Sequence, residues 1–315
     1  MIRRRHFLSL LPAGLLAGCS EEKPAPRLSF PKVPWRLTAT TAFAADFAGI
    51  IGGRAVQVQN FLPAGVSPET FVPSAPDIAK LRTSDIIITH GLGLERRWTV
   101  DFDELAKFGA RVFTATSKIP PERILHPSGP GGPPDAHVWT HPELAALMVD
   151  AVADALKDAM PKLSTYFAAR AYQLRVRLEE IMRTGSQRVK ELKPDDRFLL
   201  TSHDTMQYFA SAFSLEARAL TAADGTIPEK LPESLREWIG QHRIKSLFRE
   251  PVADANVLRR MLYELKVDPV HVINTLTLPA AGTTAVTPYK TYDVASAPGS
   301  IQHLCEMVLS TLATD

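Results

Sequence analysis

The sequence predicts an α/β fold in which two lobes with mainly parallel sheets are joined by one long rigid α-helix. Short β-favouring runs alternate with helix-patterned segments, and a second series of the same kind begins near residue 197. One long helical pattern separates the two series. Once the N-terminal segment is removed, roughly 280 residues remain, which is long enough for two lobes.

An export signal precedes this fold. Three arginines stand before an apolar run, Phe7–Ala17, which is about half of the ~20 residues that a membrane-spanning helix needs. Residues 1–18 are therefore predicted to be a signal peptide. The segment Leu-Ala-Gly-Cys resembles a lipobox, in which Cys19 becomes the lipidated residue that anchors the protein to a membrane. The sequence fits both the Sec route and the twin-arginine route.

Residues 19–32 are polar and rich in proline, which is typical of an extended tether. Loss of the three arginines changes the formal net charge from +2 to −1, and no cluster of basic residues remains to bind nucleic acid. Cys305 is the one cysteine left after Cys19 is lipidated, so no intrachain disulfide is expected. We expect Cys305 to be a small buried apolar residue.

The N-terminal lobe is predicted over residues 33–160. Its alternating segments are, in order, WRLTAT, FAADFAGIIGG, AVQVQN, APDIAKLR, DIIITH and ARVFTAT. A Pro/Gly-rich loop and the helical segment PELAALMVDAVADAL complete it. His141 is expected just before this helix, because a residue that precedes a proline disfavours helical geometry.

The linking helix is predicted over residues 161–193. Its apolar residues follow one another in steps of four, four, three, four and three, which traces one helical face: Leu163, Phe167, Ala171, Leu174, Leu178 and Ile181. From Pro161 to about Leu192 such a helix would be ~45 Å long. Gly185 alone interrupts it, at about 1 kcal/mol relative to alanine. A single stiff connection predicts small movements of the lobes.

The C-terminal lobe is predicted over residues 194–315. Its segments are RFLLTSH, DTMQYFASAF, SLEARAL, LPESLREWIGQH, IKSLFRE, ADANVLRRMLYEL and PVHVINTL. His203 directly follows the first strand of this series, and His137 lies in the Pro/Gly-rich loop of the N-terminal lobe. Ligands bind at the carboxyl ends of parallel strands, which favours His203 as a functional residue.

Five segments in the same order resemble the cluster A-I solute-binding proteins, lipoprotein receptors that deliver zinc or manganese to ABC importers. They are LPAGVSPETFVPSAPDIAKL, SDIIITHGLGLE, DAHVWTHP, HDTMQYFASAFSL and IKSLFREP. The resemblance covers the chain from about residue 37 to residue 290. It implies two lobes bridged by a long helix, with the metal held between them.

The resemblance places the four metal-ligand positions of the family at Glu69, His137, His203 and, in a late loop, Thr277. Glu69 departs from the family's histidine; a loop glutamate is ordinarily just solvated, but a carboxylate can replace imidazole on zinc or manganese. Thr277 departs from the family's aspartate and is a poor substitute. Either water fills that position, the alignment of this loop is off, or another residue has replaced the aspartate. The candidates for that replacement are His141, His271 and Glu250.

Two aspartates flank the candidate ligands. Asp135 and Asp204 are expected either to orient the imidazoles of His137 and His203 or to cap a turn or helix. Two imidazoles and one carboxylate favour zinc over manganese, because manganese prefers more oxygen ligands. The loop before His137 contains His126 as its one histidine, so the His-rich loop common in the family's zinc members is missing.

The resemblance implies capture of a divalent metal outside the cytoplasmic membrane and its delivery to an ABC permease, by a monomer with no enzymatic activity. A diverged scaffold lipoprotein with weak or no metal binding is the alternative. A zinc hydrolase is disfavoured, because the chain lacks H-E-x-x-H and no carboxylate lies between His137 and His141.

Overall fold

The computed structural model describes most of the chain from Leu28 onward. The described residues are 28–63, 66–221, 228, 230–250, 255–268, 270–273, 275, 284–286, 291–293 and 296–314. The predicted signal peptide, Cys19 and Thr277 lie outside these residues. Phe30, within the predicted tether, packs its ring edge-on against Tyr166, with centroids 5.0 Å apart. Among the described residues, no helix combines the length and apolarity needed to cross a membrane.

The N-terminal lobe is built on a four-stranded parallel sheet of order β2-β1-β3-β4. Its strands are β1 (Trp35–Ala39), β2 (Val56–Asn60), β3 (Ile86–Thr89) and β4 (Arg111–Thr114). Its helices are α1 (Ala42–Gly52), α2 (Ala75–Leu81), α3 (Phe102–Lys107) and α4 (Pro142–Ala159). All four residues of β3 are buried, as expected for a parallel strand that is covered on both faces.

Helix α5 (Ser164–Val189) lies between the lobes and is shorter than the predicted helix. Pro161–Leu163 forms a separate 3-10 turn before it. At the other end, hydrogen bonds between residues three apart, such as Leu192 N to Val189 O, replace the α-helical pattern. The predicted apolar face is buried along its whole length.

The C-terminal lobe has a second four-stranded parallel sheet, of order β6-β5-β7-β8. Its strands are β5 (Phe198–Thr201), β6 (Glu216–Ala219), β7 (Leu247–Arg249) and β8 (Val270–Val272). Its helices are α6 (Gln207–Ala212), α7 (Glu233–Gln241) and α8 (Ala255–Leu265). The two parallel sheets confirm the predicted two-lobe α/β fold.

The sequence did not predict the antiparallel hairpin of β9 (Thr284–Val286) and β10 (Thr291–Asp293), nor the packing of the last helix. Helix α9 (Ala297–Thr314) packs beside α5 and reaches α1, where the Ala297 amide donates to Asp46 Oδ2 over 2.8 Å. Cys305 on α9 is buried, as predicted. One hydrophobic core therefore extends through the N-terminal lobe, α5, the C-terminal lobe and α9.

Candidate metal centre

Three loops that follow strands β2, β4 and β5 bring Glu69, His137 and His203 together between the lobes. Their ligand atoms all lie within 4.8 Å of one another, and no other such group occurs among the described residues. Glu69 Oε2 is 2.7 Å from His203 Nε2, and Glu69 Oε1 is 3.6 Å from His137 Nε2. In a tetrahedral zinc site with bonds of about 2.0–2.1 Å, neighbouring donor atoms are roughly 3.3 Å apart, so small adjustments would fit an ion.

A turn with an aromatic anchor positions Glu69. Its amide donates to Ser67 Oγ over 3.3 Å, and the Phe71 amide donates to Ser67 O over 3.1 Å. The Phe71 ring packs edge-on against Phe61 and Trp98, with centroids 5.9 and 5.5 Å apart. The proline-rich segment therefore holds the carboxylate at the edge of the sheet.

Asp135 fixes the orientation of His137. One carboxylate oxygen of Asp135 accepts from the His137 amide at 2.9 Å and faces the ring Nδ1 at 2.7 Å. A proton on Nδ1 leaves Nε2 as the nitrogen that points towards Glu69 and His203. That Nε2 is buried and has no hydrogen-bond partner in the described structure. A buried nitrogen without a partner is costly, and binding a cation would satisfy it.

The backbone after β5 presents His203. Its carbonyl accepts from Thr201 Oγ1 and from the Thr205 amide, both at 2.9 Å. Asp204 does not contact the imidazole: its carboxylate accepts from Gln207 Nε2 at 2.7 Å. Of the two flanking aspartates, Asp135 thus takes the orienting position and Asp204 holds the start of the following helix.

The electrostatics of the cluster favour a charged carboxylate at Glu69. Burial opposes that charge, but the hydrogen bond from His203 and the charges of His137, His203 and Arg96 outweigh it and lower the pKa of Glu69 to about 2. Burial would lower the pKa of His137, yet the hydrogen bond and charge of Asp135 raise it. Burial is also the main reason why the pKa of Asp204 is raised. Glu69 is therefore ionised at neutral pH, the state in which a carboxylate binds a metal ion.

The other candidate ligands lie elsewhere. His141 caps α4: its Nδ1 accepts from the Glu143 amide at 3.2 Å, and its Nε2 faces Arg123 at 3.2 Å. His271 stacks on Phe248. Neither residue reaches the three-residue cluster, so neither supplies a fourth ligand in this arrangement. Thr277 lies outside the described residues.

Glu250 is buried against the loop that carries His203 and does not belong to the three-residue cluster. Its carboxylate accepts from the hydroxyl of Thr205 at 3.3 Å and from the amide of Thr275 at 3.2 Å, and it bonds the Thr275 hydroxyl as well. Burial raises the pKa of Glu250. This carboxyl group therefore ties the loop before Thr277 to the loop that carries His203.

Sequence reasoning missed two supporting residues in the turn after β3. Glu95 accepts from the His90 amide at 2.6 Å, the Gly91 amide at 3.2 Å and Thr40 Oγ1 at 2.6 Å. His90 Nε2 lies 2.8 Å from Ala136 O, directly before His137. The glycines in HGLGLE are typical of a tight turn with positive φ. Gly91 does adopt such a conformation, with φ 91°.

The family model for the periplasmic component A of zinc-uptake complexes, ZnuA, matches residues 37–292. The manganese-binding lipoprotein MntA of Bacillus subtilis is 28% identical over 218 residues, or 68% of this chain and 70% of the relative. The zinc-binding protein TroA of Treponema pallidum is 27% identical over 255 residues, or 79% of this chain and 80% of the relative.

Solved structures share the fold. The periplasmic zinc-binding protein TroA of Treponema pallidum superposes with a TM-score of 0.76 at 20% identity, over 89% of this chain and 99% of that one. A manganese-bound periplasmic metal-binding protein from Candidatus Liberibacter asiaticus has a TM-score of 0.72 at 19% identity, over 88% and 99%. A structure of ZnuA has a TM-score of 0.73 at 17% identity, over 88% and 98%.

Proposed function

Since the chain belongs to the ZnuA family of periplasmic metal-uptake components, we propose that it captures a divalent transition metal, preferably zinc, and delivers it to an ABC permease. One observation carries this proposal: Glu69, His137 and His203 converge from both lobes with their ligand atoms within 4.8 Å. The cargo would be held by one carboxylate and two imidazoles, with a further position left for water or for a group from the loop of Thr277.

The choice of zinc rests on the donor set. Relatives named for manganese and for zinc match with similar identity, so similarity does not decide between the ions. Two imidazole nitrogens and one carboxylate suit tetrahedral zinc, whereas manganese prefers more oxygen donors and a higher coordination number. Asp135 bonds Nδ1 of His137, the ring nitrogen that faces away from the ligand cluster. Zinc-bound histidines commonly have a carboxylate partner of this kind.

We also propose that the protein acts as a monomer without catalytic activity, held at the membrane by lipid on Cys19. A single acyl chain binds membranes reversibly, so two or three chains are expected. Cys19→Ser should yield an exported protein that fractionates as soluble. If that variant stays with the membrane as fully as the wild type, a different anchor holds the protein.

Zinc-dependent thermal stabilisation tests the metal site. An ion that binds the native state alone stabilises it by about 2.7 kcal/mol at a hundredfold excess over Kd. Zinc should therefore raise the Tm of the wild type, and His137→Ala or His203→Ala should remove most of that rise. Glu69→Ala should also reduce it, because the cation would lose its charged ligand. Thr277→Asp should increase the rise.

The matched control is His126→Asn, which removes an exposed histidine from the loop before His137 and keeps a side-chain donor for Gly132 O. This variant should keep the full zinc response. An equal zinc response in wild type and His203→Ala would refute the site. An unchanged zinc-dependent rise in Tm for Glu69→Ala would mean that Glu69 is a solvated loop residue and not a metal ligand. Purification without chelators should yield bound metal; its absence would favour the alternative of a diverged scaffold lipoprotein.

A further inference from the structure

A hydroxyl group from the C-terminal lobe closes the base of the loop that precedes His137. This loop, residues 126–134, begins after Leu125 and ends before Asp135. The backbones of Leu125 and Asp135 share one direct hydrogen bond, from Asp135 N to Leu125 O at 2.8 Å. The other two backbone groups meet at the hydroxyl of Tyr208. Leu125 N donates to this oxygen at 2.9 Å, and the hydroxyl donates to Asp135 O at 3.0 Å.

The position of Tyr208 is fixed by its own lobe. Tyr208 lies on α6 and is 1% exposed. The next residue, Phe209, packs against Phe213 with ring centroids 4.8 Å apart. Phe213 in turn closely abuts Gly185 of α5. Burial raises the pKa of Tyr208 to about 12, so its hydroxyl keeps the proton that it donates to Asp135.

Asp135 connects this contact to the candidate metal ligand. Its backbone carbonyl is held by Tyr208, while its carboxylate holds the amide and ring nitrogen of His137. A displacement of the Asp135 backbone would therefore move the imidazole of His137. Without the Tyr208 hydroxyl, the base of a loop that contains four prolines and three glycines would retain one hydrogen bond between Leu125 and Asp135.

We propose that Tyr208 is a positioning residue for metal binding: its hydroxyl clamps the base of loop 126–134 from the opposite lobe and so holds His137 in the ligand position. The expected effect of Tyr208 on metal affinity rests on the proposed function. The effect of Tyr208 on the loop can be measured without metal. Tyr208 would also link the geometry of the N-terminal ligand loop to the placement of the C-terminal lobe.

The variant Tyr208→Phe tests this role, because it removes the hydroxyl and keeps the ring. In the metal-free protein, the amides of His137 and Thr140 should exchange about tenfold faster than in the wild type, relative to amides of α4. Zinc affinity should fall by about tenfold, the lower end of the effect typical for outer-shell partners of metal ligands. The matched control Tyr172→Phe removes the hydroxyl of an exposed tyrosine on α5 and should leave zinc affinity within about twofold, because it leaves the clamp intact.

A double-mutant cycle separates positioning from general stability. If Tyr208 acts through Asp135, then Tyr208→Phe combined with Asp135→Asn should lose less affinity than the product of the two single losses. In the wild type, zinc should slow exchange of the Leu125 amide more than that of the Arg123 amide, which bonds within its own turn to Pro120 O. This measurement needs no variant.

Unchanged loop exchange and unchanged zinc affinity in Tyr208→Phe would overturn the inference while leaving the proposed function intact. The inference would also be overturned if the double variant lost zinc affinity by the full product of the two single losses. A wild type that binds neither zinc nor manganese would contradict the proposed function, and the exchange rates of the metal-free proteins would then decide the inference alone.

Discussion

Burial favours the uncharged form of His141 and His90 in the folded protein, whereas the pKa of His137 is raised by Asp135. Burial, with the charge of Arg123, lowers the pKa of His141 to about 4. Burial also lowers the pKa of His90 to about 4. In the unfolded chain both imidazoles would take up a proton near pH 6.5. Between pH 6.5 and 4 the unfolded state therefore binds more protons, and acid favours unfolding.

We expect the metal-free protein to lose stability as the pH falls from 7 to 5.5, by about 1 kcal/mol for each of these two histidines. His141→Asn keeps a side-chain acceptor for the Glu143 amide and removes the titrating group, so it should reduce this loss by about 1 kcal/mol. Urea denaturation at several pH values measures the effect. His126→Asn, at an exposed position, serves as the control; equal slopes in the wild type and both variants would contradict the prediction.

The three candidate ligands were named through motifs that resemble the cluster A-I family, and the structure brings these three residues together. Their supporting contacts could not be inferred from the sequence. Asp135 and Asp204 both stand within two residues of a candidate histidine, yet one reaches an imidazole and the other reaches Gln207. Side-chain direction after a turn depends on backbone angles that residue identity alone does not determine. His141 was placed correctly before α4, because proline restricts the preceding residue.

At the scale of elements, Gly185 has a packing role that its helix propensity conceals. A Cβ atom built at this position would lie 2.3 Å from Cε1 of Phe213, so the glycine lets α5 approach the C-terminal lobe closely. Gly240 on α7 differs: a Cβ there would meet no atom within 4 Å among the described residues. Neither glycine has a positive φ.

These two glycines form a matched pair for a test. Gly185→Ala should destabilise the protein by about 1–3 kcal/mol, because the clash outweighs the gain in helix propensity. Gly240→Ala should stabilise it by about 0.5–1 kcal/mol. Chemical denaturation measures both. If Gly185→Ala stabilises the protein as much as Gly240→Ala does, the close approach of α5 to Phe213 is not maintained in solution.

Helix periodicity predicted the buried face of α5 well but not its ends. The steps of three and four residues identify which side chains face the core, since they follow from helix geometry. Whether a first turn is α-helical or 3-10 depends on small differences in hydrogen bonding near Pro161. The hairpin of β9 and β10 was missed because each strand has three residues, too few to show an alternating pattern.

At the scale of the whole molecule, the shared core limits how far the lobes can move. Phe47, Leu178, Phe209 and Leu309 belong to one hydrophobic cluster, although they come from the N-terminal lobe, α5, the C-terminal lobe and α9. Arg188 on α5 also pairs with Glu306 on α9. The sequence indicated that α9 has an apolar face, but an amphipathic pattern does not identify the surface that covers it. The connection between lobes is therefore stiffer than one helix would make it.

Metal binding should accordingly change the overall dimensions very little. Small-angle X-ray scattering should give radii of gyration for metal-free and zinc-loaded protein that differ by less than about 1 Å, against the ~19 Å expected for a folded chain of this length. Opening of a wide cleft would separate the apolar surfaces of the shared core, which is unfavourable. A decrease of several Å on loading would contradict a preformed arrangement.

The contact between α1 and α9 also constrains the order of folding during synthesis. The Asp46 carboxylate and the Ala297 amide that it accepts from are 251 residues apart. The N-terminal lobe therefore cannot bury all of its apolar surface until the chain through α9 has been made, and such distant contacts form slowly. A chain that ends before α9 would therefore leave part of the apolar surface of α1 exposed to water.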